Sequence, residues 1–307
     1  MSALSTGSIS LRLYAHSELD AVGVVDEMRT QASLAIEHGF DGVMTSEHHG
    51  GFAGYVPNPL QMTGFLLDAM SSGWAAPCPL LALLRPASLI AEETAWLAAR
   101  FPGRVGLGLA AGALVDDFSV MDLDLAHLAE RFETTLRRVV GALSGRAEPI
   151  LARDPAVERC AAEPVPVVSA VASVTAARRA ARVGAGILID SLTTSARARE
   201  LIDAYRTDGG DKSCILIRRA WVGDVPRAEF ERQVDVYRSY AADAAQTTWG
   251  VDELAAGDTA ERLAESLRAT GADALNVRIH VPGIAAPAVR DQIAQLGAEV
   301  LPRLRRG

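Results

Sequence analysis

Eight short apolar runs, each followed by a longer amphipathic segment, recur from end to end of this 307-residue chain. The runs at residues 9–15, 41–45, 80–84, 104–110, 166–170, 186–190, 214–222 and 274–280 read as strands. Strands that alternate with helices pair in parallel, because each helix carries the chain back to the same end of the sheet. Such strands are covered on both faces and draw on Ala, Val, Leu and Ile. Aromatic residues, at 5% of the chain, are too few to build that core. Eight units satisfy a (β/α)₈ TIM barrel, and the length suits a single domain over residues 1–307. An open doubly wound sheet would carry a phosphate-binding glycine loop after the first strand, and Ala15-His16-Ser17 is not one.

The segments between the runs carry helix signals. Asp20 is placed to cap a helix that Gly39 stops. Further helices are expected over residues 60–71, up to about Phe101, and over 126–143, 174–183, 195–207, 226–244 and 288–303. Another starts at residues 255–259. Residues 115–125 read as a loop and 144–163 as a connecting segment.

A net charge of −8 with no basic stripe argues against nucleic acid as a partner. Cys78, Cys160 and Cys214 are scattered without metal-ligand spacing, as a reducing cytosol permits. Residues 1–10 lack the basic start and apolar run of a signal peptide, and no apolar stretch is long enough to span a bilayer. A soluble, cytoplasmic protein with no membrane partner is expected.

Ligands of such barrels bind at the C-terminal ends of the strands. Glu47-His48-His49 follows the second run directly. A histidine there can act as a general base, as a hydrogen-bond donor or as a metal ligand; it can equally be a loop histidine bonded to backbone. Adjacent histidines point apart in extended chain, and His16, His38, His127 and His280 add no ligand pattern, so no metal is expected, with a metal-dependent barrel hydrolase using His48 and His49 as a further alternative. His16 and His280 sit at strand ends where they could line a pocket, His38 reads as structural and His127 as surface. Ser173 opens a helix, either as a simple N-cap or as part of a phosphate site. At Gly257-Asp258-Thr259 the acid would repel a phosphate, which favours capping. Arg131-Phe132-Glu133 suggests local ion pairs. Asp116-Asp117 reads as solvated loop acids without a catalytic role.

Taken in order, these segments resemble the bacterial luciferase-like family of flavin-dependent monooxygenases. The resemblance is carried by Ala35-Ile36-Glu37-His38-Gly39-Phe40-Asp41-Gly42-Val43 leading to Glu47-His48-His49, and by Pro102-Gly103-Arg104-Val105-Gly106-Leu107-Gly108-Leu109-Ala110-Ala111-Gly112. Asp117-Phe118, Arg131-Phe132-Glu133, the Ser173-to-Gly184 unit, Gly257-Asp258-Thr259 and Gly271-Ala272-Asp273 follow in the family's order. The resemblance implies a barrel that binds reduced FMN, or a deazaflavin coenzyme as the alternative, and oxidises a small apolar molecule with oxygen. The Glu-His-His form is more similar to the FMN branch. It further implies a flavin reductase as partner and a homodimer. By carry-over, His48 and His49 are the catalytic candidates, with His49 supporting the loop. Ala82, Leu83 and Ala110 would back the flavin ring, Gly112 is a further cofactor-binding candidate, and Ser173 would meet the phosphate. Ala111 stands where some members place a phosphate-gripping arginine, and no long insertion late in the barrel supplies a lid. A non-catalytic flavin-binding or partner subunit is the other reading that these departures allow.

Overall fold

The computed structural model of the chain describes residues 1–240 and 258–306. The part of the expected helix 226–244 beyond Tyr240, and the start expected at residues 255–257, lie outside the described residues.

One nine-stranded sheet contains every described strand, and every pairing in it is parallel. In chain order the strands are β1 (Ile9–Arg12), β2 (Gly42–Thr45), β3 (Trp74–Pro77), β4 (Leu80–Leu81), β5 (Leu107–Ala110), β6 (Val167–Ala170), β7 (Gly186–Ile189), β8 (Cys214–Arg219) and β9 (Ala274–Arg278). Their spatial order is β3-β2-β1-β9-β8-β7-β6-β5-β4. A bridge between Ala75 and Val105 brings the two ends of that order together, so the sheet closes into a barrel.

Nine strands make eight staves because the third stave is split. The strand expected at residues 80–84 forms only at its first two residues. β3 pairs with β2, the chain kinks at a cis Cys78-Pro79 bond, and only Leu80–Leu81 pairs with β5. Residues Ala82–Leu84 turn into a 3₁₀ helix. The apolar run of residues 80–84 marked burial correctly but not extension. Pro77 and Pro79 lack the N–H groups that a continuous central strand needs.

The strands alternate as a two-faced sheet must. Met44, Trp74, Ala76, Val168, Leu188, Ile215 and Ala274 fill the barrel interior, and Ala3 and Leu4 plug its N-terminal end. Leu11, Val43, Leu107, Ile187, Leu216 and Val277 face outward into the helix layer. Trp74 is the largest interior residue, and it fits only because Gly42 opposite it has no side chain. A Cβ there would lie 2.2 Å from the indole.

The helix layer follows its caps. α1 (Ala21–Glu37) starts on Asp20, which accepts from the Gly23 N–H. α2 (Pro59–Ala69) starts on Asn58, and α3 (Ala87–Arg100) ends near Phe101 as expected. The segment read as loop contains a short helix, α4 (Val115–Ser119), before α5 (Leu128–Ala142). The connecting segment 144–163 contains α6 (Pro155–Arg159), capped by Asp154. α7 (Val174–Val183) runs from the Ser173 cap to Gly184, which takes up φ +82°. α8 (Ser195–Thr207) and α9 (Arg227–Tyr240) follow, then helices Thr259–Thr270 and Ala286–Gln295. Among the described residues no helix is long and apolar enough to cross a membrane.

Candidate active site

The C-terminal ends of the strands surround a cleft of about 400 Å³, the ordinary size for a small-molecule site. The loop after β2 forms one side of it. Glu47 is fully buried and its carboxylate accepts from three groups. These are the Leu81 N–H at 2.6 Å, the His49 Nε2–H at 2.9 Å and the guanidinium of Arg85. A buried carboxylate needs such partners to stay charged. This set ties the loop to β4 and to the turn that follows it.

His48 and His49 then take opposite directions, as adjacent residues in extended chain must. His49 is buried, its ring held by Glu47 and its backbone N–H by Asp117 Oδ1 at 2.7 Å. His48 lines the cleft. Its Nδ1 lies 2.7 Å from Asp117 Oδ2, and its ring packs against Phe52 and Tyr55 at centroid distances of 4.6 and 4.4 Å. With Nδ1–H donating to the carboxylate, Nε2 is left to face the cleft as the ring's second hydrogen-bonding atom.

Asp117 corrects the reading of Asp116-Asp117 as solvated acids. α4 turns Asp117 inward, fully buried, and both of its oxygens serve the histidine loop. The signals for this in the sequence are the adjoining Phe118, which is buried, and the place of Asp117-Phe118 in the family's order of motifs.

The other expected contacts divide. Ala110 and Gly112 line the cleft on the β5 side. Gly112 has φ +80° and comes so near Phe118 that a Cβ would meet the ring at 3.1 Å. Ala82 and Leu83 lie in the 3₁₀ turn and pack into the outer core, and the cleft is instead faced there by Pro79 and Leu81. Ser173 is an exposed N-cap accepting from Ala176 N, and it is Ala172 beside it that reaches the cleft. Arg197 of α8 donates to the Ala172 carbonyl at 3.2 Å, which sets a cation next to the start of α7. Its Nη1 pairs with Glu200 at 2.6 Å, and its Nε is buried without a partner.

His16 and His280 do not reach the cleft. They stack on each other at 4.0 Å, and His16 bonds Glu18 and Gln31. Burial, with His16 and the Arg278 charge adding to it, pushes the His280 imidazole down to about 3. His38 caps α1, and His127 is exposed ahead of α5. Among the described residues, no group of three or more His, Cys, Asp or Glu is placed to hold a metal ion.

The opposite wall of the cleft comes from residues the sequence reading passed over: Arg12, Tyr14, Tyr55, Tyr237 and Arg278. Arg278 donates to the Tyr237 hydroxyl at 2.6 Å and lies over the ring of Tyr14 at 4.5 Å. The hydroxyls of Tyr237 and Tyr55 are 2.5 Å apart. Burial drives the Tyr55 phenol well above its ordinary range and raises that of Tyr14, so both stay protonated. The signal that could have found this wall is the period of two: Ser10 and Arg12 share one face of β1, with Tyr14 two positions on, and Asn276 and Arg278 share one face of β9. Polar residues spaced that way in a strand with covered faces belong to a barrel interior or mouth.

The family model for luciferase-like monooxygenase matches residues 8–276. No curated protein gives a significant match to the chain. Monooxygenase RslO1 from Streptomyces bottropensis has the same fold at 16% identity, with a TM-score of 0.80 over 96% of this chain and 99% of that one. The oxygenating constituent of 3,6-diketocamphane monooxygenase from Pseudomonas putida, solved with FMN, superposes at 0.75 and 16% identity over 98% and 99%. An F420-dependent secondary alcohol dehydrogenase superposes at 0.72 and 14% identity over 98% and 99%.

Proposed function

Because the chain belongs to the luciferase-like monooxygenase family, we propose that it is a monooxygenase that uses reduced FMN and oxygen on a small molecule with an apolar body. The observation that carries this reading is His48 at the rim of the cleft, aligned by a buried carboxylate and facing a wall of Leu81, Ala110 and Gly112.

The residues present fit a flavin. The wall from β4 to β6 carries no side chain larger than Leu along Leu81, Ala110, Gly112 and Ala113, which suits a flat ring system. The start of α7 with Ser173, and the Arg197 guanidinium beside it with its unpartnered Nε, suit a phosphate. Reduced flavin, when bound, supplies two electrons and activates oxygen so that one oxygen atom passes to the substrate.

The chain's own residues do the rest. His48 accepts or returns a proton at Nε2, and Asp117 fixes the ring's tautomer and stabilises the imidazolium that forms. The Glu47 set holds the loop so that His48 keeps its place. The apolar wall excludes bulk water, which protects the oxidising step from wasteful release. In this reading the reduced flavin comes from a separate reductase. Exposed Phe65, Leu89 and Trp96 on α2 and α3 support a homodimer face.

The test is an anaerobic titration with FMN, reduced FMN and a reduced deazaflavin, followed by tryptophan fluorescence and then by mixing with oxygen. Preference for reduced FMN and oxygen consumption dependent on His48 are expected. Preference for the deazaflavin with no oxygen uptake would replace oxygenation by hydride transfer.

A further inference from the structure

The wall of the cleft opposite the proposed flavin side carries an unusual charge arrangement. Arg12 on β1, Arg278 on β9 and Arg219 on β8 stand in register across three neighbouring strands. All three are at least nine-tenths buried, at 2%, 4% and 3% exposure. Among the described residues, none of them forms an ion pair.

Their partners are neutral. Arg12 donates to Asn276 Oδ1 at 2.7 Å, to the Cys78 carbonyl at 2.8 Å and to Ser46. Arg219 reaches Gln233 at 3.4 Å and lies over Phe230, and its Nε has no partner. Arg278 donates only to Tyr237, and its Nε is buried with no partner either. The carboxylates on the cleft wall are placed for other work. Glu47 is consumed by Leu81, Arg85 and His49, while Asp190 is exposed, accepts from Leu192 N at 2.6 Å with one oxygen and acts on Arg219 through its charge without forming an ion pair.

Buried guanidinium groups in a row repel one another and lose hydration, so a fold keeps them where a ligand supplies the missing negative charge. Arg278 lines the cleft itself and has an N–H to spare. Beyond the Tyr55 and Tyr237 rings a second cleft of about 290 Å³ opens, lined by Phe52, Ala53, Val236 and Pro282 together with the polar Arg232 and Gln233. These two tyrosines belong to both clefts.

We infer that the substrate carries one oxyanion group, which Arg278 binds with Arg12 and Arg219 reinforcing the field, and an apolar body that extends past Tyr55 and Tyr237 into the second cleft. The inference rests on the flavin reading only in giving the β4 to β6 wall to the cofactor. An anion on the flavin is the other source of the same chemistry. We assign the charge to the substrate because the cation for the flavin phosphate, Arg197, lies at the start of α7.

The experiment uses the full chain without flavin and compares matched probes: octanoate against 1-octanol, and 2-naphthoate against 2-naphthylmethanol. Binding is followed by calorimetry and by the shift in melting temperature. At least one carboxylate is expected to bind at least 10-fold more tightly than its alcohol and to raise the melting temperature. Arg278→Gln should weaken that carboxylate by about 10- to 100-fold, the usual worth of a charge-assisted bond, and leave the reduced-FMN dissociation constant within about 2-fold. Arg278→Lys, which keeps the charge, should lose less.

Equal binding of acids and alcohols by the wild-type protein, or no binding of either, overturns the inference. So does an Arg278→Gln variant that loses reduced FMN and keeps the carboxylate, which assigns the anion to the cofactor. If the variant does not fold, the wild-type comparison alone decides. Because the probes are tested without flavin, a deazaflavin preference in the earlier titration would overturn the FMN reading and leave this result standing.

Discussion

The carboxylate of Asp117 lies 2.7 Å from Nδ1 of His48, although 69 positions separate the two residues in the chain. One oxygen orients the imidazole and the other holds the next residue's backbone, so ring and loop are fixed by one buried group.

Asp117→Asn should therefore leave flavin binding nearly unchanged and lower kcat by about 10²- to 10⁴-fold, the range for losing a positioned acid–base group or its orienting partner. Nitrogen NMR of the His48 ring checks the cause independently of substrate. The ring proton should redistribute from Nδ1 toward Nε2 in the variant. An unchanged tautomer would mean that Asp117 serves only the backbone of His49.

Glu47 shows how the same loop is anchored from behind. Glu47→Ala strips Arg85, Leu81 N and His49 of their shared acceptor and should cost about 3–5 kcal/mol, the range for breaking a buried ion pair. Glu47→Gln keeps an acceptor for the Leu81 N–H and should cost less, about 1–3 kcal/mol. Urea unfolding midpoints at constant slope measure both.

At the barrel's other end, Gly42→Ala should destabilise by about 1–3 kcal/mol or more, as overpacking does. The new Cβ would meet the Trp74 indole at 2.2 Å and the Trp74 carbonyl at 2.5 Å. Trp74→Leu removes the ring but not the carbonyl. The double variant should thus recover part of the loss, seen as a coupling in a double-mutant cycle.

The His16–His280 stack predicts an acid-labile fold. The His280 imidazole is held down to about 3, against an unfolded value of about 6.5. Above pH 6.5 neither state binds the proton and the group is neutral to stability. Below it the unfolded chain takes up a proton that the folded chain refuses, so stability falls as pH drops from 6.5 toward 3. The steepest slope from this group is about 1.4 kcal/mol per pH unit. Comparing unfolding free energies of wild-type and His280→Gln between pH 7 and 4 checks it. The variant should show the shallower decline, and equal slopes would assign the acid sensitivity elsewhere.

Much of the fold was legible because its signals are local. Seven of the eight expected runs each supply a whole stave, and the caps at Asp20 and Ser173 form as read. The third stave failed because an apolar run reports burial, and burial alone does not separate a strand from a 3₁₀ turn after a proline kink. In the cleft, Glu47 and His48 stand where their place after the second run put them, and Ala110 and Gly112, taken from the family resemblance, also line it. Ala82 and Leu83 were displaced together with the stave that carried them.

The sequence by itself determined the alternating architecture, the family and the loop that carries the histidines, since each depends on periodicity, turn chemistry or ordered motifs within a short span. Only the tertiary structure decided which histidine faces the cleft, that Asp117 is its partner, and that Arg12, Arg278 and Arg219 stand in one row. The reason is physical. A side chain's charge and hydrogen bonds are settled by what lies across from it once the barrel has closed, and Arg12 meets its Asn276 acceptor across 264 positions of chain.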